Sequence, residues 1–246
     1  MEALTKTPLK GFVKLLKLHR GEVNTAYDEV ALVYDSFVRI WDDHIAASAM
    51  AYYNELLTRH IKPGAFVLDA GAGTGERTLA ILAHSQPGNV IALDASLGML
   101  EVARSKIKDP RVEFKQGDLS HLPFEDNTFD LVSCSWVIEI MDDPRAAVQE
   151  LLRVIKPDGR VLYAFCSLPE GVIGDILKHI LQKVVPENTP LTHLLAQDER
   201  PFHHCTNSSL KQFAGGLTTV AIVAKCCPIN EEALPCHTEL LLPATT

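Results

Sequence analysis

The most constraining feature of this sequence is a glycine-rich turn between an apolar run and a helical run. The stretch FVLDAGAGTGERTLAILA, residues 66–83, places Gly71, Gly73 and Gly75 within five positions. Glycine adopts positive φ at little steric cost and lets another group approach the backbone closely. A strand–turn–helix unit of this kind is typical of folds that bind a cofactor beyond a parallel strand. The stretch therefore predicts a ligand at this turn, with a plain strand-to-helix connection as the alternative.

Short apolar runs alternate with helical patterns along most of the chain. Five runs have the composition of strands covered on both faces: 66–70, 90–94, 112–115, 129–134 and 160–166. Helical patterns lie between them at about 76–85, 96–107 and 144–155, the last beginning at Pro144 and ending at KPDG. This alternation predicts an α/β fold with a doubly wound, mostly parallel sheet, whose ligands lie beyond the carboxyl ends of the strands.

Charge and cysteine spacing argue against several classes of protein. The net charge is −8 and no long basic cluster is present, so a nucleic-acid substrate is not expected. The six cysteines have no CxxC spacing, which predicts neither a metal site nor a disulfide framework. There is no secretory leader pattern and no uncharged apolar run of membrane-spanning length. We therefore expect a cytoplasmic protein with reduced thiols.

Aspartates stand at or near the ends of three successive predicted strands. Asp94 ends the second strand, where a carboxylate can accept hydrogen bonds from both hydroxyls of a ribose. Asp118 follows the third strand and can accept from the exocyclic amine of adenine, with Leu119 supplying apolar contact. Asp69 lies two positions before the first glycine, and any one of these aspartates would also suit a turn or cap. The GxGxG spacing departs from the GxGxxG of nicotinamide cofactors, which disfavours an NAD-dependent oxidoreductase.

Four stretches of the sequence carry a resemblance to a known family: VLDAGAGTG, VIALDASLGMLEVAR, GDLSHLPFEDNTFDLVSCSW and AAVQELLRVIKPDGRVLYAF. They resemble the successive motifs of class I S-adenosylmethionine-dependent methyltransferases, most of all the branch with the ubiquinone and menaquinone C-methyltransferases. The resemblance covers about residues 27–167 and departs at Asp158, where the family often has glycine. It implies a Rossmann-like fold with an antiparallel terminal strand at 215–225, S-adenosylmethionine as cofactor, and methyl transfer to a small lipophilic acceptor of quinone, phenolic, polyketide or lipid-like type. A protein that binds the cofactor without methyl transfer would have the same motifs.

The resemblance also assigns the cofactor site. It places the glycine turn against the methionine part of the cofactor, Asp94 at the ribose, and Asp118 with Leu119 at the adenine. The segment TAYDEVALVYDSF resembles the family's entry segment, in which an aromatic residue closes over the cofactor; Tyr34 is the better match and Tyr27 the second. Both tyrosines also fit an ordinary apolar helix face. The full predicted set is Tyr27, Tyr34, Asp69, Gly71, Ala72, Gly73, Gly75, Asp94, Ala95, Met99, Asp118, Leu119 and Ser135.

Three side chains are candidate bases for the methyl acceptor. Methyl transfer is an in-line displacement that needs alignment of the acceptor and, for some acceptors, removal of a proton. His203 and His204 lie in the region expected to cover the pocket, and Glu139 follows the fourth strand. A surface or capping role is the alternative for each, and catalysis by positioning alone requires none of them.

The ends of the chain are expected to add to a central domain. We predict a helical lid at 1–45, the methyltransferase domain at 46–226 with a substrate-covering insertion at 170–210, and a tail at 227–246. Residues 1–20 read as a basic amphipathic helix, which predicts either peripheral contact with anionic lipid or a roof over the substrate pocket. Only NSSLKQF precedes the expected terminal strand, so the sequence predicts a shortened sheet there.

Overall fold

The computed structural model describes residues 23–141, 143–167, 171–172, 175–176 and 208–225. Its helices are α1 (Val23–Trp41), α2 (Ala47–His60), α3 (Glu76–His84), α4 (Leu97–Lys106) and α5 (Pro144–Val154), and a π-helical turn, Asp42–Ala46, connects α1 to α2. Its strands are β1 (Phe66–Ala70), β2 (Asn89–Asp94), β3 (Val112–Gln116), β4 (Phe129–Ser135), β5 (Ile155–Cys166), β6 (Ser208–Phe213) and β7 (Thr218–Ala224). Short 3-10 turns lie at Ile138–Ile140 and Ala214–Gly216.

The strands form one sheet in the order β3-β2-β1-β4-β5-β7-β6. Strands β1 to β5 pair in parallel, and β7 lies antiparallel between β5 and β6. The chain moves from β1 outward to β2 and β3, then returns to β4 on the other side of β1. This reversal creates a cleft beyond the carboxyl ends of β1 and β4, where ligands bind in open α/β sheets. The predicted α/β fold with its antiparallel terminal strand is confirmed.

The expected shortening of the sheet is wrong. Residues Ser208–Phe213 pair with β7 along their whole length and form the edge strand β6. Most of this strand is exposed, so it does not need the apolar alternation by which a half-buried strand is recognised. Lys211 lies on this edge with its Nζ 4.6 Å from the centre of the Tyr52 ring. A charged side chain on an edge strand also discourages pairing with another chain.

Apolar clusters cover both faces of the sheet. On one face Val132 of β4 belongs to the cluster that includes Leu151 of α5, and on the other Leu131 belongs to the cluster that includes Leu57 of α2. Neighbouring residues of a strand point to opposite faces, so a strand buried on both faces reads as a continuous apolar run. No helix in the described ranges is both long enough and apolar enough to cross a membrane.

The KPDG stretch, residues 156–159, follows the end of a helix and lies within a strand. Helix α5 ends at Val154, as expected, and β5 begins at the next residue. The register of β5 against β4 then shifts, so that residues 156–159 bulge out of the ladder. Asp158 is exposed in this bulge, whereas a Cβ on Gly159 would come 3.0 Å from the Asp130 carbonyl oxygen. The departure from the family at Asp158 therefore affects no packed position.

An arginine on α5 anchors the loop between β3 and β4. Arg153 donates to both carboxylate oxygens of Glu150 at 2.7 and 2.8 Å and to Oδ1 of Asp126 at 2.9 Å. It also donates to the carbonyl oxygens of Leu122 and Phe124 at 3.0 and 2.8 Å. Glu150 in turn accepts the N–H of Leu122 at 2.8 Å. The LPFED stretch thus keeps its shape through bonds to α5.

We predict that Arg153→Ala lowers the free energy of unfolding by about 2–4 kcal/mol, because it removes the side-chain donor of Glu150 and of two loop carbonyls. Arg59→Ala is the matched control, since its ion pair within the described ranges is with the exposed Glu55 on its own helix. Such an exposed pair contributes about 0–1 kcal/mol. Urea denaturation of both variants measures the difference, and equal losses would contradict the anchoring role.

Candidate active site

A cavity opens at the carboxyl ends of β1, β2 and β4. It holds about 880 Å³ of space, including the open solvent at its mouth. The described residues of its wall are Tyr27, Tyr34, Gly71, Gly73, Asp94, Ala95, Ser96, Met99, Asp118, Leu119, Ser135, Trp136, Val137, Ile140 and Met141. The cavity therefore lies where the strand order reverses, as the sequence pattern predicted.

Most of the predicted cofactor residues meet at this wall, but three do not line it. Asp69 is buried beneath the glycine turn, and Ala72 and Gly75 are buried behind it. Among the candidate bases, Glu139 is buried between wall residues that precede and follow it in the chain. His203 and His204 lie outside the described residues.

The three glycines of the turn serve different purposes. All three have positive φ, between 53° and 89°. A Cβ on Gly71 would overlap the side chain of Val137, and one on Gly75 would come 2.7 Å from Cδ1 of Ile107. A Cβ on Gly73 would meet nothing within 4 Å, because it would project into open space. Gly73 therefore leaves open space at the cavity wall, while the other two glycines allow close packing within the protein.

Backbone donors of the glycine turn are already used by the protein. The N–H groups of Gly71 and Ala72 both donate to the Leu93 carbonyl, at 2.8 and 2.9 Å, and the N–H of Gly73 donates to Oδ2 of Asp94 at 2.8 Å. Dinucleotide-binding turns use such N–H groups to hold a pyrophosphate. Because these three groups are bonded to β2, this turn does not provide a pyrophosphate cradle. The geometry disfavours NAD and suits a nucleoside cofactor without phosphates.

The Asp94 carboxylate connects the glycine turn to the start of α4. Its Oδ2 accepts from Gly73 and its Oδ1 accepts the N–H of Ser96 at 2.9 Å. Burial raises the pKa of Asp94, and these backbone bonds oppose that rise. The N–H of Ala95 contributes a third backbone bond to this carboxylate, which has about four acceptor positions. The carboxylate lines the cavity and can still accept a hydrogen bond from a ribose hydroxyl.

Asp69 supports the turn from below. Its Oδ2 accepts from Thr78 Oγ1 at 2.6 Å, and its Oδ1 accepts from Ser133 Oγ at 3.2 Å. The hydroxyl of Tyr53 lies 2.9 Å from the same Ser133 Oγ. Burial raises the pKa of Asp69 to about 6 in spite of these bonds. The network joins β1, β4, α2 and α3 directly under the cavity, which gives Asp69 a supporting role.

The segment after β4 supplies wall residues that sequence reasoning missed. Trp136, Val137, Ile140 and Met141 line the cavity, and so does Ser96. Trp136 has φ of +60°, and its N–H donates to the Ala164 carbonyl at 2.8 Å. The sequence contained a signal for these wall residues. The apolar stretch WVIEIM, residues 136–141, directly follows a strand whose carboxyl end lies beside β1. These apolar side chains give one part of the cavity the character of a lipophilic site.

Glu139 is a buried carboxyl beside this segment. Its Oε1 accepts the N–H of Cys166 at 3.0 Å, while its Oε2 is buried and has no hydrogen-bond partner among the described residues. Burial raises the pKa of Glu139 to about 7, and the bonds to its own and the Cys166 backbone oppose the rise. Asp143, not Glu139, caps α5, by accepting from the N–H groups of Arg145 and Ala146 at 3.0 Å each. The capping alternative for Glu139 is therefore wrong.

Two tyrosines of α1 close one side of the cavity. The rings of Tyr27 and Tyr34 meet edge to face with centroids 5.7 Å apart, and both line the wall. Burial raises the pKa of each hydroxyl above its ordinary value, so both are neutral at physiological pH. Among the described wall residues there is no lysine, arginine or histidine, while Asp94 and Asp118 are present. Aromatic faces and carboxylates without a basic side chain suit a cationic ligand.

Fold and cavity together define a class of protein: a Rossmann-like domain that binds a nucleoside cofactor bearing positive charge. A family model described as a methyltransferase domain matches residues 68–163. The demethylmenaquinone methyltransferase of Renibacterium salmoninarum is 34% identical over 176 residues, which are 69% of this chain and 72% of that protein. The chain belongs to the class I S-adenosylmethionine-dependent methyltransferases, and S-adenosylmethionine is the cofactor of that family.

Further similarities agree with this membership. The demethylmenaquinone methyltransferase of Clavibacter sepedonicus is 37% identical over 155 residues, 61% of this chain and 60% of that protein. The match thus spans less than two thirds of that relative's length. A methyltransferase structure from Aquifex aeolicus superposes with a TM-score of 0.52 at 19% identity, over 70% of this chain and 88% of that one, which shows the shared fold.

We predict that Gly73→Ala weakens binding of S-adenosylhomocysteine at least tenfold, because the new methyl group takes up open space in the cavity. The positive φ at this position costs about 1 kcal/mol of stability, so the variant still folds. Gly71→Ala is the comparison, since its Cβ would overlap Val137 and its main effect is expected on thermal stability. Calorimetry and thermal melts separate the two effects. Unchanged affinity in Gly73→Ala would place the ligand elsewhere.

We also predict that Glu139 makes stability depend on pH. Because its pKa rises from 4.5 to about 7 on folding, the folded state holds more protons than the unfolded state between those values. The free energy of unfolding therefore falls as pH rises from about 4.5 to 7. Glu139→Gln should remove a part of this fall on the order of 3 kcal/mol. Denaturation across this range tests it, with the exposed Glu101→Gln as control; an unchanged slope in Glu139→Gln would contradict it.

Proposed function

We propose that this chain transfers a methyl group from S-adenosylmethionine to a small lipophilic acceptor of the quinone class. The observation that carries the proposal is a single cavity in which Asp94 and Gly73 face an apolar segment, residues 136–141. The first part suits a nucleoside cofactor and the second suits an apolar acceptor. The two relatives described above are demethylmenaquinone methyltransferases, which supports a reduced naphthoquinone as that acceptor.

Residues of the wall would hold the cofactor in defined roles. Asp94 would accept from the ribose hydroxyls, with the oxygen capacity left after its backbone bonds to Gly73, Ala95 and Ser96. Asp118 would accept from the adenine amine, beside the apolar Leu119; its Oδ1 also accepts the N–H of Ser120 at 2.9 Å, which orients the carboxylate. Tyr27 and Tyr34 would cover the cofactor from α1.

The chemistry depends mainly on positioning and exclusion of water. When bound, S-adenosylmethionine supplies an electrophilic methyl group on a positively charged sulfur. An in-line displacement at this methyl neutralises charge, so an apolar surrounding favours it. The chain provides that surrounding with Trp136, Val137, Ile140 and Met141. These side chains would align an apolar ring and leave little room for water.

Removal of a proton from the acceptor is a second role for which we propose Glu139. Its pKa of about 7 means that the carboxyl can accept a proton near neutral pH and release it again. Its buried Oε2, without a partner among the described residues, would hold the proton; Glu139 does not itself line the cavity, so the proposed role requires the wall at Val137 and Ile140 to open to the acceptor. His203 and His204 remain proposed alternatives outside the described ranges. Membrane contact through residues 1–20, or a roof formed by them, likewise remains a proposal; the basic amphipathic pattern supports the former.

Incubation of the full chain with methyl-labelled S-adenosylmethionine tests the function. We expect label on a demethylated naphthoquinol, with less on a benzoquinol and least on a simple phenol. Asp94→Ala should lose about 1.5–3 kcal/mol of cofactor binding, because charged hydrogen bonds are removed. Asp43→Ala, at an exposed aspartate, should behave as the wild type. Tight binding of S-adenosylhomocysteine without label on any acceptor would overturn the proposal and favour a cofactor-binding protein that does not methylate.

A further inference from the structure

Helix α1 is attached to the domain by few buried apolar side chains. Val30 and Ala31 are buried against Met99 of α4, and at the far end of the helix Trp41 packs against Trp136. In contrast, Leu32 is 91% exposed and Ile40 is 62% exposed. A segment with so small an apolar contact opens more easily than the core of the sheet. Its position over the cavity must therefore depend on other contacts.

Two aspartates of α1 provide those contacts. Oδ1 of Asp28 accepts from Ser96 Oγ at 2.6 Å and from the N–H of Gly98 at 2.8 Å, at the start of α4 where backbone N–H groups lack helical partners. A Cβ on Gly98 would lie 3.0 Å from the Asp28 backbone, so glycine allows the close approach. Asp35 accepts from Thr74 Oγ1 at 2.5 Å and from Lys106 Nζ at 2.8 Å.

The loops that these aspartates contact are the loops that shape the cofactor site. Thr74 follows Gly73 in the glycine turn, and Ser96 donates its N–H to Asp94. Tyr27 and Asp28 recur seven residues later as Tyr34 and Asp35. Two helical turns separate the pairs, so the tyrosines form one row and the aspartates an adjacent row. The tyrosine row lines the cavity while the aspartate row bonds to its two loops.

We propose that Asp28 and Asp35 are positioning residues, which hold Tyr27 and Tyr34 over the bound cofactor and make docking of α1 and cofactor binding stabilise each other. The inference rests on the proposed function for the identity of the ligand. A ligand that touches both the tyrosines and Asp94 favours the docked helix. By reciprocity, a helix that docks poorly lowers the affinity for the ligand by the same factor.

Calorimetry with S-adenosylhomocysteine tests the affinity. We expect each of Asp28→Ala and Asp35→Ala to bind about tenfold more weakly, and the double variant more weakly still, within the range usual for coupled sites. Asp28→Asn should recover much of the loss, because its amide oxygen can still accept from Ser96 and Gly98. Asp43→Ala, an exposed aspartate just beyond α1, should match the wild type.

Hydrogen exchange of the backbone amides separates positioning from simple stability. In the wild type, S-adenosylhomocysteine should slow exchange in residues 27–41. In the double variant that slowing should be lost, while amides of β1 and β4 remain protected as in the wild type. Fast exchange of α1 with unchanged affinity would show a merely structural role and overturn the inference.

The same measurements distinguish this inference from the proposed function. Wild-type affinity in the double variant overturns the positioning role even if methyl transfer is observed. Weak binding in the double variant, with tight wild-type binding and no methyl transfer to any acceptor, supports the positioning role and overturns the proposed function. A wild-type protein that does not bind S-adenosylhomocysteine overturns both.

Discussion

The geometry of the cavity depends on the hydrogen bonds that the Asp94 carboxylate accepts. This carboxylate accepts the N–H of Gly73 from one loop and the N–H of Ser96 from another, so that two turns from different strands take a fixed relation. The carbonyl oxygen of Leu93, near the end of β2, accepts the N–H groups of Gly71 and Ala72. The turn is thereby closed to phosphates but keeps a carboxylate facing the cavity. The Asp94 side chain thus fixes the geometry of the site and helps to determine which class of cofactor the site suits.

Beneath this carboxylate, a second one stabilises the sheet. Asp69 bonds to α3 through Thr78 and to β4 through Ser133, and Tyr53 of α2 extends the network. A buried carboxyl without such partners would cost several kcal/mol, so these bonds are needed for the residue to be tolerated at all. The two aspartates resemble each other in sequence context, yet Asp94 lines the cavity and Asp69 is buried within the protein. The difference follows from their positions: Asp69 is the last but one residue of β1, whereas Asp94 is the last residue of β2.

The strands β1 to β5 and helices α3 to α5 could be predicted from sequence because each is a strongly patterned segment with a clear stop signal. Asp94, Asp118 and the tyrosines could be predicted because they occupy the ends of those segments or match a family motif. The edge strand β6 could not be predicted, because an exposed strand lacks the alternation of apolar and polar residues by which a half-buried strand is recognised. The role of Gly71 could not either, because the side chain that approaches it, Val137, is distant in sequence.

The proposed methyl transfer would begin with a cation, so the charge state of the side chains near the cavity matters. Tyr27, Tyr34 and the thiol of Cys166 are uncharged at neutral pH at their ordinary pKa values, and burial raises the pKa of each further. A permanent anion beside a sulfonium would stabilise the ground state, where the charge is greatest, and so oppose its neutralisation. Neutral, polarisable walls attract the cation without that penalty. In the proposed reaction the Asp94 carboxyl would contribute to binding at the ribose, while the uncharged aromatic and aliphatic walls would favour the transfer.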